Sequence, residues 1–262
     1  MERKRFVLLF LLFAIFLECL AIPSFAQNRE YAWFCRRNGV HQPRVTDEEV
    51  RISKYNAYSI DRSVTDDSDE KVIYLTFDVG YENGNVEKIL DAMKDENVSG
   101  AFFVLDNIIL KNTDLVNRMS LEGHLVCNHT RNHKNICSFT AEEIKNDLTS
   151  LEDLYREKTG KEMSKYFRFP EGKYSEEALM AVSDLGYSTI FWSFAYEDWN
   201  NACQMSKEKA KKKILSNTHN GAIMLFHPTS SVNAELFPEL IREWKRQGYT
   251  FGSLDDLCEK AN

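Results

Sequence analysis

The stretch KVIYLTFDVGYENGN, residues 71–85, contains the local pattern that decides the fold. Residues 72–77 are mostly apolar, β-branched or aromatic, and they predict one buried strand. The strand ends at a single carboxylate, Asp78, and Gly80 allows the chain to turn directly after it. We expect a helix over residues 85–96, so the predicted unit is a buried strand, a polar residue, a turn and a helix.

The same unit recurs along the rest of the chain. Strands that are apolar on both faces and separated by helices indicate an α/β fold with a parallel sheet covered by helices. The number of alternations suits a barrel and a doubly wound sheet equally well. Thr140 with Glu143, and Ser175 before two glutamates, predict helix N-termini. The further predicted strands are 100–105, 124–128, 166–169, 188–194, 222–226 and 249–252, and the further helices are 112–122, 140–158, 175–185, 206–217 and 233–247.

The N-terminus, MERKRFVLLFLLFAIFLECLAIPSFAQ, has a basic start, an apolar run and small residues near its end. This pattern predicts a secretory signal peptide over residues 1–26 that is cleaved after Ala26, and hence a protein secreted to the cell envelope. A retained membrane anchor is the alternative, but Glu18 and Pro23 interrupt the apolar run before the roughly 20 residues that span a bilayer. Bulky and charged residues before Cys19 argue against attachment of a lipid there.

Residues 27–70 contain scattered aromatic residues without a regular period, and they predict an irregular N-terminal extension that packs on a main domain, residues 71–262. The composition is that of a folded globular protein, and the net charge is −7. An acidic chain of this kind is a poor candidate for binding nucleic acid. Contact with a membrane is expected only through an uncleaved signal peptide.

Five polar residues lie at or just beyond the ends of five different predicted strands: Asp78, His129, Arg168, Asp198 and His227. The carboxyl ends of parallel strands converge on one face of the sheet, where ligands bind. Each residue alone has an ordinary structural explanation, such as a turn carboxylate or a core histidine. Their common placement favours a functional site.

His129 and His133 are four residues apart in the sequence NHTRNH. On a helical turn this spacing places both imidazoles on one face, where they can share a divalent metal ion. Two histidines at this spacing are more often surface residues, but these follow directly after a predicted buried strand. The sequence therefore predicts that the two imidazoles are metal ligands.

Taken in order, these segments resemble the five motifs of the polysaccharide deacetylase family, the NodB-homology carbohydrate esterases of family 4. The resemblance covers about residues 70–258, and its motifs are TFDVG (76–80), HTRNH (129–133), RFPEG (168–172), DW (198–199) and LFH (225–227). Three further segments are similar to the sporulation branch of that family, the delta-lactam-forming peptidoglycan de-N-acetylases: YENGNVEKIL (81–90), FWSFAYEDW (191–199) and HPTSSVNAE (227–235).

The resemblance implies a distorted (β/α) barrel and a hydrolase of carbon–nitrogen bonds other than peptide bonds. Its substrate would be the N-acetyl group of muramic acid in peptidoglycan glycan strands. Glu171 stands where many relatives have Tyr or Arg, and its carboxylate would repel an incoming lactyl or peptide carboxylate. This favours muramic acid that carries no stem peptide as the partner, or a Glu171 side chain that faces away from the substrate. The freed amine can then attack the lactyl carboxyl group and close a lactam, as in the spore cortex.

The resemblance also implies a role for each motif residue. Asp78 corresponds to the catalytic base and His227 to the general acid. Arg168 corresponds to the residue that orients the base, and Asp198 to the carboxylate that supports the acid histidine. The backbone N–H of Glu171 corresponds to the group that stabilises the oxyanion.

The metal site departs from the family pattern at one position. The resemblance implies that His129 and His133 bind a divalent metal, with zinc as the expected ion. The commonest first motif is TFDDG, whose second aspartate is a third ligand, and Val79 stands there in this sequence. We therefore expect a weaker metal site than is usual in the family.

Two alternatives to the muramic acid deacetylase remain open at this point. The same motifs serve deacetylases of chitin oligomers, wall N-acetylglucosamine and acetylated xylan. Val79 favours a catalytically silent glycan-binding protein, but such a protein has no need of both a base and an acid.

Overall fold

The computed structural model describes residues 29–261 and consists of a curled parallel sheet surrounded by helices. The strands are β1 (Tyr31–Ala32), β2 (Ala57–Tyr58), β3 (Val72–Val79), β4 (Ala101–Val104), β5 (Leu125–Asn128), β6 (Ser164–Phe167), β7 (Lys173–Tyr174), β8 (Ser188–Ile190), β9 (Ala222–Phe226) and β10 (Thr250–Phe251). The helices are α1 (Asp47–Ser53), α2 (Val86–Asp95), α3 (Asp106–Lys111), α4 (Thr113–Leu121), α5 (Ala141–Thr159), α6 (Glu176–Asp184), α7 (Lys207–Leu215), α8 (Ser231–Arg246) and α9 (Leu254–Ala261).

The main sheet is parallel throughout and forms a distorted barrel. The strand order is β2-β8-β6-β5-β4-β3, β9 also pairs with β3, and β10 pairs with the first residues of β3. A bridge between Phe194 and Met224 joins the segment after β8 to β9, and the Ser193 N–H donates to Ile223 O at 3.0 Å. These contacts connect the two sides of the curled sheet, and they confirm the predicted barrel.

Strand β3 lies at the centre of this arrangement because its sequence is apolar on both faces. Every residue of β3 except Asp78 is buried. Phe77 stacks on Phe102 of β4 with ring centroids 4.6 Å apart, and it also contacts Phe237 of α8 at 5.3 Å. Burial of one such ring contributes about 1.5–3 kcal/mol to folding. The packing fixes the C-terminal end of β3, and therefore Asp78, in the middle of the ligand-binding face.

The predicted helices are confirmed, with ends that differ by a few residues. Thr140 and Glu143 form the predicted capping box at the start of α5, and Ser175 Oγ accepts from the Ala178 N–H at the start of α6. Helices α1, α3 and α9 were not predicted. Helix α3 has only six residues, and Asn112 alone separates it from α4, so the sequence shows no loop between them.

The N-terminal extension is more ordered than its sequence predicts. Strand β1 pairs antiparallel with β7, α1 follows, and β2 adds a parallel strand beside β8. Trp33 anchors the extension: its backbone N–H donates to Gly172 O, and its Nε1 donates to Trp192 O, both at 2.8 Å. Residues 29–58 therefore contribute a short strand to each sheet, while most of their length lies outside helices and strands.

The predicted signal peptide and its cleavage after Ala26 lie outside the described residues. Across residues 29–261, no helix combines the length and the apolar character that crossing a membrane requires.

Candidate active site

The carboxylate of Asp78 is held by a fully buried arginine. Arg168 follows β6 directly, and its Nη1 donates to Asp78 Oδ1 at 2.8 Å. Its Nη2 donates to Thr76 Oγ1 and its Nε to Ile190 O, both at 2.9 Å, and the guanidinium lies over the Phe103 ring at 4.2 Å. Because these contacts fix the planar fork of Arg168, they also fix the orientation of the carboxylate.

The charges around Asp78 keep this carboxylate ionised. Burial acts to raise the pKa of Asp78, but the positive charge of Arg168, together with His129 and His227, outweighs burial and holds the pKa below its usual value. The second carboxylate oxygen, Oδ2, lies 3.5 Å from His129 Nε2. Asp78 therefore presents an anionic oxygen beside an imidazole at the end of β3.

His129 has a defined tautomer. Its Nδ1 lies 2.8 Å from Arg168 O, and a carbonyl oxygen can only accept, so Nδ1 carries the proton. The lone pair is then on Nε2, the atom near Asp78. Burial lowers the pKa of His129 to about 4, so the imidazole is neutral at pH 7. A neutral imidazole with a free Nε2 is the form that binds metal ions.

His133 lies next to His129 without the helical turn that its spacing predicts. Residues 129–133 form a loop in which Thr130 and His133 have left-handed backbone conformations, with φ of 66° and 60°. The two imidazole rings still meet, with centroids 5.0 Å apart. The predicted proximity of the rings is therefore confirmed, but the helical geometry proposed for it is wrong.

His227 and Asp198 form a second pair across the site. His227 Nδ1 donates to Asp198 Oδ1 at 2.7 Å, and the His227 backbone N–H donates to Asp198 Oδ2 at 2.8 Å. Asn233 Nδ2 also donates to Oδ2, at 2.6 Å. Burial acts to lower the pKa of His227, but the charge of Asp198 and its hydrogen bond outweigh burial and raise the pKa.

Both pairs open into one cavity of about 650 Å³ at the carboxyl ends of the strands. The structure therefore brings together the residues that the sequence singled out. Asp78 and His227 face the cavity, and Arg168 and Asp198 hold them from behind. Its lining includes Asp78, His129, His133, Glu171, Trp192, Tyr196, Trp199 and His227.

Glu171 lies at the edge of the cavity in a short 3₁₀ turn, Pro170–Gly172. Its φ of 56° is in the left-handed region. Its carboxylate contacts Lys173 Nζ at 2.7 Å, and this ammonium lowers the pKa of Glu171. The role of its backbone N–H in stabilising an oxyanion stays a prediction.

The side chains around His129 and His133 offer few further ligands for a metal ion. Among residues 29–261, no group of three or more His, Cys, Asp or Glu side chains has the arrangement that holds a metal. Val79 lines the cavity but is 1% exposed and packs in the core, so it contributes no ligand atom. The residues fit an imidazole pair, His129 and His133, rather than a closed site with three protein ligands.

Two contributors to the site were not predicted from the sequence. Asn233 lies in the first turn of α8, after the cap at Ser230, and holds Asp198 from there. Thr76, two residues before Asp78, accepts from Arg168 and donates to Met224 O of β9 at 2.8 Å. The sequence of β3 contained a signal for Thr76, because a polar residue in an otherwise apolar, buried strand requires a buried partner.

The chain is similar to known proteins over most of its length. The family described as polysaccharide deacetylase matches residues 65–190. The peptidoglycan-N-acetylmuramic acid deacetylase PdaA of Bacillus subtilis (strain 168) is 39% identical over 232 residues, which cover 88% of this chain and 86% of that protein.

The chain belongs to the polysaccharide deacetylase family.

Solved structures of carbohydrate esterase family 4 have the same fold as this member. The structure of Bacillus subtilis PdaA aligns with a TM-score of 0.83 and 38% identity, covering 90% of this chain and 99% of that one. A family 4 carbohydrate esterase from Bacillus anthracis aligns with a TM-score of 0.72 and 33% identity, covering 89% and 98%. This polysaccharide deacetylase is therefore a hydrolase of acetyl amide bonds, and deacetylases of its family depend in general on metal ions.

Proposed function

We propose that this polysaccharide deacetylase removes the N-acetyl group from muramic acid in peptidoglycan. One observation carries the proposal: the Asp78–Arg168 pair and the His227–Asp198 pair open into one cavity. The muramic acid substrate is supported by the similarity to PdaA along most of both chains.

Hydrolysis of an acetamide requires a proton acceptor for water and a proton donor for the leaving nitrogen. Asp78 is kept anionic by Arg168, so it can take a proton from water as the water oxygen bonds to the acetyl carbon. His227 is kept protonated to higher pH by Asp198, so it can donate to the nitrogen as the carbon–nitrogen bond breaks. The products are acetate and the free amine of the sugar.

The negative charge that develops on the carbonyl oxygen needs a donor. The backbone N–H of Glu171 is proposed for this role. The Glu171 carboxylate is engaged by Lys173, so its charge is partly neutralised and need not repel an approaching anionic glycan. That ion pair weakens the electrostatic reason for a peptide-free substrate. The remaining reason is chemical, since lactam closure requires a free lactyl carboxyl group.

A divalent metal, with zinc as the expected ion, would be held by His129 and His133. When bound, it would polarise the acetyl carbonyl and lower the pKa of water. The tautomer of His129 supports this assignment, because it leaves the lone pair on Nε2 of an imidazole that lines the cavity. With Val79 in place of the usual carboxylate, we expect the ion to exchange readily and to be removed by mild chelation.

The enzyme would act outside the cell after cleavage of the signal peptide over residues 1–26. Its partners would be glycan strands of the wall, and a spore-cortex role follows from the similarity to the sporulation branch. Any contact with a membrane would come from an uncleaved signal peptide.

The test is acetate release from glycan whose muramic acids lack peptide, with zinc and with chelator. We expect release by the wild type and loss in Asp78→Asn, with Asp69→Asn as a control that removes a carboxylate from an exposed position. Absence of release with every metal tried would overturn the proposed activity. Full activity of His129→Ala would overturn the metal site.

The substrate and the silent alternative are decided by two further measurements. Acetate release from the two aminosugars of one glycan distinguishes muramic acid from N-acetylglucosamine. A glycan-binding protein without activity is the alternative that Val79 favours, and it would retain glycan without releasing acetate from it.

A further inference from the structure

A second cleft, of about 880 Å³, lies between the N-terminal extension and the segment that follows β8. Its walls hold five arginines: Arg29, Arg36, Arg37, Arg44 and Arg51. This concentration of positive charge stands out in a chain whose net charge is −7. We call it the arginine cleft.

Most of these guanidinium groups lack an acidic partner, and two of the three acids that line the cleft, Glu48 and Glu49 but not the exposed Asp47, are already engaged. Glu49 makes two hydrogen bonds with Arg62, both at 2.7 Å, and Glu48 accepts from Tyr174 at 3.0 Å. Arg51 lies 3.7 Å from Glu176. Within residues 29–261, no carboxylate forms an ion pair with the other four, Arg29, Arg36, Arg37 and Arg44. The cleft therefore offers donors for an external anion.

The arginine cleft adjoins the catalytic cavity. Trp192 lines both of them. Arg37 donates through Nη2 to the carbonyl oxygen of Ala195, a residue of the catalytic cavity. Trp33, which lines the cleft, donates to Trp192 O at 2.8 Å. The short segment 192–195 is thus the common wall of the two cavities.

We propose that the arginine cleft binds carboxylate groups of the glycan strand that extends from the muramic acid in the catalytic cavity. Guanidinium forks pair with carboxylates through two parallel hydrogen bonds. Phe34, which is 58% exposed at the cleft, offers an apolar surface for a sugar ring. The carboxylate is the lactyl group of a neighbouring muramic acid or the terminus of a stem peptide on it. This inference rests on the proposed function for its substrate.

The experiment uses the double variant Arg36→Gln/Arg44→Gln. Both side chains are exposed and neither is hydrogen-bonded to the catalytic residues, so the fold and kcat should be retained. Arg246→Gln is the matched control, since Arg246 is 72% exposed at the end of α8 and outside the cleft. Thermal unfolding checks that the double variant is folded.

Three substrates identify the group that binds. They are a peptide-free glycan oligosaccharide, the same oligosaccharide with its lactyl carboxyls converted to methyl amides, and one with stem peptides on the neighbouring muramic acids. We expect KM of the double variant to rise about tenfold on the carboxylate-bearing substrates, with kcat unchanged, and to stay unchanged on the amide. A rise on the first substrate assigns the lactyl group, and a rise confined to the third assigns the stem peptide. The wild-type KM should increase with salt more steeply than that of the double variant.

Equal KM values for wild type and double variant on all three substrates would overturn the proposal. An equal rise of KM on the methyl amide would also overturn it. So would a result in which the double variant binds only a phosphate-bearing wall polymer more weakly than wild type does. Calorimetric binding of the oligosaccharides to Asp78→Asn protein separates this inference from the activity. If binding weakens about tenfold when both arginines are replaced, the cleft stands even where wild type releases no acetate. If wild type releases acetate but replacing both arginines leaves oligosaccharide binding unchanged, the proposal for the arginine cleft fails and the proposed function stands.

Discussion

Replacement of Asp198 by asparagine tests the proposed proton donor most directly. In the structure, three N–H donors converge on this buried carboxylate: Nδ1 and the backbone N of His227, and Nδ2 of Asn233. An asparagine has one acceptor oxygen in place of two and carries no charge. In Asp198→Asn, burial would still act to lower the pKa of His227, but the charge that outweighs it would be gone.

The size of the effect follows from the lost contact. A hydrogen bond to a charged partner contributes about 1.5–3 kcal/mol, and one pKa unit corresponds to about 1.36 kcal/mol. The pKa of His227 should therefore fall in the variant. Because the imidazolium is the reactive form, activity is retained below this pKa and lost as pH rises through it. The alkaline limb of the profile should move to lower pH.

The assay is the pH dependence of kcat/KM for acetate release. At pH 7 we expect a loss of about 10- to 100-fold, and the loss should shrink as the pH falls and His227 regains its proton. Glu197→Gln is the control, since it removes the same charge from an exposed neighbouring position. An alkaline limb at the wild-type position, with a uniform loss at every pH, would refute the reasoning.

Three further substitutions probe the rest of the site. Arg168→Met leaves the Asp78 carboxylate without its buried partner, so the free energy of unfolding measured in urea should fall by about 3–5 kcal/mol. The pKa of Asp78 should rise, which moves the acidic limb of the activity profile to higher pH. Val79→Asp restores a carboxylate beside the histidines, and calorimetry should show tighter zinc binding than in Val79→Asn; equal affinities would contradict this. Gly172→Ala places a Cβ 2.8 Å from the Trp192 ring at φ +67°, and it should lower kcat/KM while Gly123→Ala, in open space, does not.

Residues whose position depends on strand order alone could be predicted from the sequence. Asp78, Arg168 and His227 follow buried parallel strands, and parallel strands bring their carboxyl ends together whatever the loops do. The loop of His133 could not be predicted, because its left-handed residues are a histidine and a threonine, which carry no turn signal. Contacts between segments that lie far apart in the sequence could not be predicted either.

Asn233 illustrates such a contact. It reaches the loop residue Asp198 from helix α8, and no local pattern links the two residues. The order of the N-terminal extension depends likewise on Trp33 meeting Gly172 and Trp192, far along the chain. Aromatic residues without a period indicated burial, but they did not indicate the partner.

The pairing of β9 with β3 has a consequence for how the enzyme matures. The proposed base ends β3 and the proposed acid follows β9, so the two meet only through a contact between distant parts of the chain. Pairings between residues far apart in sequence form slowly, because the loop between them must first be closed. No N-terminal fragment that ends before residue 227 holds both groups. Acetate release is therefore a reporter of completed folding, and the chain acquires its activity only after β9 and His227 have been incorporated.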